Sequence, residues 1–383
     1  MTIVVCKVLL GAILTLFNLG TTVNASAAQE SAARNSATVS SNAPGIENAR
    51  IETRRVVGTL TATMAEVEKD AARPMWVGYA VKAVAGERTV CCSNYSDSRG
   101  ESCGQGELET DRDHSNNSSN KKGAGAVKLE GGEELLVLFR LADRHLTRIK
   151  VASQDCVLDA GGLAFVWLTD VKPAESVAVL GEFVRRENLA GHTRQSIGNE
   201  ALTAIALHDG QEADVALESF TGPAQPEELR KHAAFWLGAA RGKEGLLALQ
   251  RMAKKDTSAE VRAHVAFALS ISKESAALEE MIRMAHEDES GHVRGQAIFW
   301  LAQKAGNRAV SAIDSAIASD PDTEVEKQAV FALSQLPKDE GVPKLIQVAE
   351  NNRNPEVRKQ AMFWLGQSQD PRALGFFEKV LLK

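Results

Sequence analysis

Apolar positions in the second half of the chain repeat on two scales. Within short stretches they fall at helical spacing, as Val261, Val265, Ala268 and Leu269 do. Whole stretches then recur every 32 residues: AAFWLG, VAFALS, AIFWLA, AVFALS and AMFWLG surround Phe235, Phe267, Phe299, Phe331 and Phe363. A fixed period of this size predicts stacked units, none of which can bury its apolar face alone. Each unit reads as two helices. The first opens on an apolar residue and then usually Arg (Leu229-Arg230, Val261-Arg262, Val293-Arg294, Val325-Glu326, Val357-Arg358) and carries the column Leu237, Leu269, Leu301, Leu333, Leu365. The second carries Leu246, Leu278, Val310, Val342, Leu374 and, three residues on, Leu249, Met281, Ile313, Leu345, Phe377. A divergent sixth copy upstream, with Ile197, Ala201, Ile205, Leu217 and Phe220, has Thr203 in place of the Phe and is expected to cap the stack.

Helical geometry predicts where each column points. Taking Val261 as zero and about 100° per residue, Val265, Ala268 and Leu269 fall within about 80° of it, whereas Phe267 lies near 240°. The Phe column is therefore expected on the outer face of the first-helix layer. There it forms a binding ladder, is covered by another part of the chain, or turns sideways between repeats. Trp236, Trp300 and Trp364 alternate with Ala268 and Ala332, which doubles the period. At about 340° they are expected on the buried side, each indole filling space left by the neighbouring Ala. The Arg column is expected to pair with acids of the preceding turn. His232, His264, Gln296, Gln328 and Gln360 form a polar column suited to hydrogen bonds between repeats or to lining a polar strip beside the Phe column.

Upstream the pattern changes. Residues 51–170 predict a small, mostly antiparallel β-rich domain. Its strands are expected at Trp76–Val84, Glu134–Leu141, Leu146–Ala152 and Leu163–Leu168, with weak alternation over Val56–Thr63. Residues 93–125, nearly all polar, read as a long exposed loop in which Asp111, Asp113 and His114 are weak cation candidates. Residues 171–192 read as a connecting helix, and 193–383 as about six repeats. The fold class expected is α+β: a β-rich domain followed by an α-solenoid.

Residues 1–27 resemble a secretory signal: Lys7, the apolar run Val8–Leu19 and the small-residue site Ala25-Ser26-Ala27. The run is about 12 residues, short of the roughly 20 that cross a bilayer. Residues 28–50 read as a disordered linker. These features place the mature chain outside the cytoplasm, with no membrane insertion after cleavage. Cys91, Cys92, Cys103 and Cys156 would then remain, an even set suited to disulfides and poorly spaced for zinc. The net charge of −6 argues against a nucleic-acid partner.

The stretches EVRAHVAFALS and PEVRKQAMFWLGQ resemble the short HEAT-type repeat first named for phycobilin lyases, over roughly 193–383. The resemblance implies a helix-pair solenoid. Deoxyhypusine hydroxylase, of the same fold family, holds a di-iron centre with repeated His-Glu pairs. This chain has one such pair, His286-Glu287, so that activity is not expected here. No motif indicates a cofactor, a metal or a nucleophile. The expected function is an exported scaffold binding a protein partner through Phe235, Phe267, Phe299, Phe331 and Phe363. The alternative is an enzyme whose site lies between the β-rich domain and the first repeat, using Cys156, Asp159, His192 and His208.

Overall fold

The structure, a computed structural model, describes residues 45–85, 105–109, 133–154, 156–186 and 196–382. All lie in one compact unit. The expected signal segment, residues 28–44 of the linker, Cys91, Cys92, Cys103, Asp111, Asp113, His114 and His192 lie outside the described residues.

The β-rich part is built from β1 (Ile46–Glu47), β2 (Arg50–Arg55), α1 (Leu60–Asp70), β3 (Met75–Lys82), β4 (Gln105–Glu107), β5 (Glu134–Ala142), β6 (His145–Ser153), β7 (Val157–Asp159) and β8 (Ala164–Thr169). The main sheet runs β2-β8-β3-β5-β6. Its strands β2, β8 and β3 are mutually parallel, while β3, β5 and β6 are antiparallel. The sheet is therefore mixed rather than mostly antiparallel. Its central strands are apolar at nearly every position because both faces are covered. Val77, Tyr79, Val137, Phe139, Val166 and Leu168 face the helices. Trp76, Ala80, Leu136, Leu138, Phe165 and Trp167 face a small sheet of order β1-β7-β4.

Three local expectations are corrected. Residues 60–63 begin a helix instead of extending a strand: Thr59 caps α1 by accepting from the Ala62 N–H at 3.2 Å, and Glu175 accepts from the Leu60 N–H at 2.7 Å. The linker ends before Gly45, since Ile46–Glu47 pairs with β7 and Arg50 opens β2. The polar stretch 93–125 is interrupted by β4, which also pairs with β7, and by Leu108, which is buried in the core between the sheets.

Helix α2 (Pro173–Arg186) leads into the array: α3 (Ile197–Leu207), α4 (Gln211–Ser219), α5 (Glu227–Ala240), α6 (Gly242–Lys255), α7 (Ala259–Ile271), α8 (Ala276–Glu287), α9 (Gly291–Ala305), α10 (Val310–Ser319), α11 (Thr323–Gln335), α12 (Lys338–Asn351), α13 (Pro355–Gln367) and α14 (Pro371–Leu381). First helices α5, α7, α9, α11 and α13 pack directly on one another, and second helices α6, α8, α10 and α12 each wedge between two of them. The contact between α5 and α7 needs a glycine: a Cβ on Gly238 of α5 would lie 2.2 Å from the Ala268 carbonyl oxygen of α7. Val261, Val265, Ala268 and Leu269 are fully buried, as the wheel predicts. One continuous core runs from α1 and one face of the sheet through to α14.

The divergent first repeat is the joint. Helix α3 packs on β6, where Glu200 accepts from the Ile149 N–H at 2.8 Å. The end of β3 pairs with the end of α3: Val84 N–H donates to Leu207 O at 2.8 Å, and Asp209 N–H donates to Lys82 O at 2.9 Å.

Candidate functional site

Four of the five first helices, α7, α9, α11 and α13, start in the same way. The turn before each carries Asp256, Asp288, Asp320 or Asn352, whose side chain accepts from the N–H two residues on at 2.8–2.9 Å. Arg230, Arg262 and Arg294 then hold these turns together. Arg262 donates from Nε and Nη2 to Asp288 at 2.9 and 3.0 Å, and from Nη1 to Asp256 O at 2.9 Å. Arg230 forks onto Asp256 at 2.8 and 3.1 Å, and Arg294 onto Asp320 at 2.8 Å with both nitrogens. The carboxylate partner is thus in the turn that follows, and the preceding turn contributes a backbone carbonyl. This reverses the pairing expected from sequence, because the second helix folds back and brings the next turn alongside the first helix. The Asp288 and Asp320 hydrogen bonds raise the Arg262 and Arg294 guanidinium pKa above its ordinary value. These cations are committed to the scaffold and are not placed to recognise a ligand.

The ladder locks the first helices in register, and their outer faces carry the aromatic residues. Phe235 stacks on Phe267 at 6.2 Å between centroids, and Phe299 on Phe331 at 5.8 Å and 6°. Tryptophans join these pairs. Trp300 lies 4.7 Å from Phe267 of the repeat before and 4.8 Å from Phe299 of its own. Trp364 makes the same bridge at 4.8 Å to Phe331 and 5.0 Å to Phe363, and Trp236 touches Phe235 at 5.1 Å. Eight rings therefore form one unbroken row across five repeats.

Four of the five Phe residues are half-buried by this sideways stacking, while Phe363, with Trp364 as its ring neighbour, is 53% exposed. The tryptophans are half-buried as well, whereas Ala268 and Ala332 in the same register are fully buried. The indoles do not fill the core as expected. Their Cβ atoms start on the buried side, and the ring is long enough to swing outward over the preceding Phe. Adjacent wheel positions, 240° and 340°, were the available signal.

The polar column runs beside the row and is half-buried throughout. Burial, followed by the charge of Lys231, pushes the His264 imidazole down to about 4. His232 Nδ1, His264 Nε2, Gln328 Oε1 and Trp364 Nε1 are buried polar atoms with no hydrogen-bond partner among the described residues. A desolvated polar atom without a partner costs about 1–3 kcal/mol; three of these belong to the polar column and the fourth, on Trp364, to the adjoining row.

The candidate catalytic residues are not gathered together. Cys156 is disulfide-bonded and belongs to the core between the two sheets. Asp159 accepts from Asn48 Nδ2 at 3.1 Å on that side. His208 lies on the opposite face of the main sheet, fully buried. No cluster of three or more metal-ligating side chains occurs among the described residues, and no helix there is long and apolar enough to cross a membrane.

A family model for HEAT repeats matches residues 213–302 and 310–383. No curated protein matches the chain. Among solved structures, human deoxyhypusine hydroxylase in complex with glycerol is similar at 16% identity over 54% of this chain and 90% of that one, with a TM-score of 0.26. The complex of CpcE and CpcF of phycocyanin lyase from Nostoc sp. PCC7120 is similar at 18% identity over 54% of this chain and 80% of that one, with a TM-score of 0.28. On the repeat period, the helix-pair packing and the family match, the C-terminal half of this chain is an array of HEAT repeats.

Proposed function

We propose that this chain is a protein-binding scaffold that receives a protein partner along the aromatic row, and that it acts outside the cytoplasm. The unbroken contact of eight rings from Trp236 to Phe363 supports the first part. Aromatic side chains provide large contact area at small entropic cost and dominate interface energetics. Rings that already hold one another in place lose little further freedom when a partner covers them. The Lys7 to Ala27 signal pattern supports the second part.

The test is site-specific photocrosslinking in the native host. Gln303, Gln335 and Gln367 are exposed one helical turn beyond Phe299, Phe331 and Phe363. A crosslinker at each should capture the same protein, and one at Leu247, 39% exposed on α6, should not. Equal capture from Leu247, or none from the three Gln positions, would remove the aromatic row from the function. Export is tested separately by sequencing the N-terminus of the mature protein, expected at Ala28.

A further inference from the structure

The joint between sheet and array holds a polar chain that the binding function does not use. Tyr79 of β3, Ser176 of α2 and His208 at the end of α3 are all 0% exposed. Tyr79 Oη lies 2.7 Å from Ser176 Oγ, Ser176 Oγ 2.8 Å from His208 Nε2, and His208 Nδ1 2.6 Å from Ala204 O. The Ala204 carbonyl can only accept, so Nδ1 carries the ring proton and Nε2 is an acceptor. The order is then fixed: Tyr79 O–H donates to Ser176, and Ser176 O–H donates to His208. Every hydroxyl proton has one acceptor.

A proton on Nε2 removes the acceptor at the end of this chain. His208 would donate to Ser176, and either the Ser176 or the Tyr79 hydroxyl proton would lose its acceptor in a dry core. The new charge would also sit beside Arg241, which donates to His208 O at 2.5 Å. The other charged groups at the joint are occupied. Asp214 pairs with Arg241, Asp209 with Lys82 at 2.8 Å, Glu175 with Lys172 and the Leu60 N–H, and Glu200 with the Ile149 N–H. None of them is placed to neutralise an imidazolium.

We propose that Tyr79, Ser176 and His208 form an acid-sensitive latch, so that protonation of His208 opens the seam between the sheet and the first repeat while the rest of the array stays folded. Burial, ahead of the Arg241 charge, lowers the His208 pKa from 6.5 to about 4 in the closed state. A depressed folded-state value means the latch is fully closed above 6.5 and weakens as pH falls towards 4. Lys82 lowers the Asp209 pKa below its ordinary 3.8, so that carboxylate titrates below this window.

The seam has its own reporters, the N–H groups of Val84 and Asp209 that bond across it. Hydrogen exchange of the whole chain, read by mass spectrometry and corrected for intrinsic rate, should show their opening rise about tenfold per pH unit below 6.5, to about a hundredfold at pH 4. Fragments around Leu333 should not change. In His208→Gln the dependence should be flat. An unchanged slope in that variant, or equal loosening around Leu333, overturns the latch. If the variant does not fold, titration of the His208 ring in the wild-type chain by NMR decides the matter. A ring unprotonated until near pH 4 supports the proposal, and one titrating near 6.5 refutes it.

Discussion

Replacing Arg262 by Ala removes the best-defined strut of the array. Its side chain is 7% exposed and that of Asp288 5%. The change deletes two bonds to Asp288, one to Asp256 O and one to the exposed Glu289 carboxylate at 3.2 Å. Asp288 keeps only its bond from the Ser290 N–H at 2.9 Å, a carboxylate buried without its counter-ion. Breaking a buried pair from one side costs about 3–5 kcal/mol. Arg358 occupies the same register but bonds only to the preceding turn, donating to Asn352 O at 2.8 Å and Arg353 O at 3.1 Å, with no carboxylate partner among the described residues. Its loss removes neutral-acceptor bonds and leaves no stranded charge, so Arg358→Ala should cost about 1–2 kcal/mol.

The chain itself shows how the stranded charge can be avoided. At the fifth repeat, Glu326 replaces Arg, and Asn354 donates to Glu326 at 3.0 Å and to Thr323 at 3.1 Å. The double change Arg262→Ala, Asp288→Asn should therefore recover more than half of the single-variant loss. Urea denaturation followed by circular dichroism, comparing midpoints of the four proteins, measures this. An array of repeats need not unfold in two states, so the ranking of midpoints is the quantity to read. Equal midpoints for Arg262→Ala and Arg358→Ala, or a double variant no better than Arg262→Ala alone, would refute the reasoning.

Three further outcomes follow from the site. Phe363→Ala, at a 53% exposed ring, should cost under about 1 kcal/mol of stability yet weaken partner binding, whereas Phe299→Ala, between Trp300 and Phe331, should cost about 2–3 kcal/mol; thermal denaturation beside a binding assay separates the two effects. The neutral form of His264 is favoured in the folded state, so its stabilisation is complete above pH 6.5 and lost as pH falls towards about 4. His264→Gln, the residue of the next three repeats, should flatten the stability curve over that window by up to about 3 kcal/mol, measured by denaturation at stepped pH. Gly238→Ala would force α5 away from the Ala268 carbonyl and should cost about 1–3 kcal/mol, visible as a lowered Tm.

The parts legible in the sequence are those governed by local periodicity. A helix whose apolar positions recur at 3.6 residues and whose copies recur at 32 has few ways to fold, and Val261, Val265 and Leu269 fall where the wheel places them. Strands β3, β5 and β8 were also visible, being unbroken apolar runs longer than a turn. Relations across elements were not visible. Parallel pairing of β2 with β8 joins residues more than a hundred positions apart. Polar β4 forms because Leu108 anchors it, and one Leu within a Ser- and Gly-rich stretch gives no period. Tyr79, Ser176 and His208 come from three elements and share no spacing.

The aromatic row shows the same division. Periodicity put the Phe residues on the outer face, and what decides their state is side-chain length. An Ala at the 340° position ends in the core, while an indole at that position reaches the ring of the repeat before it. Because only alternate repeats carry Trp, Phe235 with Phe267 and Phe299 with Phe331 stack directly, and the indoles bridge one pair to the next. The period of the row is then two repeats, and the tryptophans rather than the phenylalanines make the row continuous. Trp300→Ala should separate the Phe235–Phe267 pair from the Phe299–Phe331 pair while leaving both stacks in place. A partner spanning the row should lose affinity by more than about tenfold, the loss of one central aromatic anchor, whereas a partner held by a single Phe pair should not. Titration of the purified partner against the two proteins decides between these, and undiminished affinity would show that continuity of the row has no role in binding.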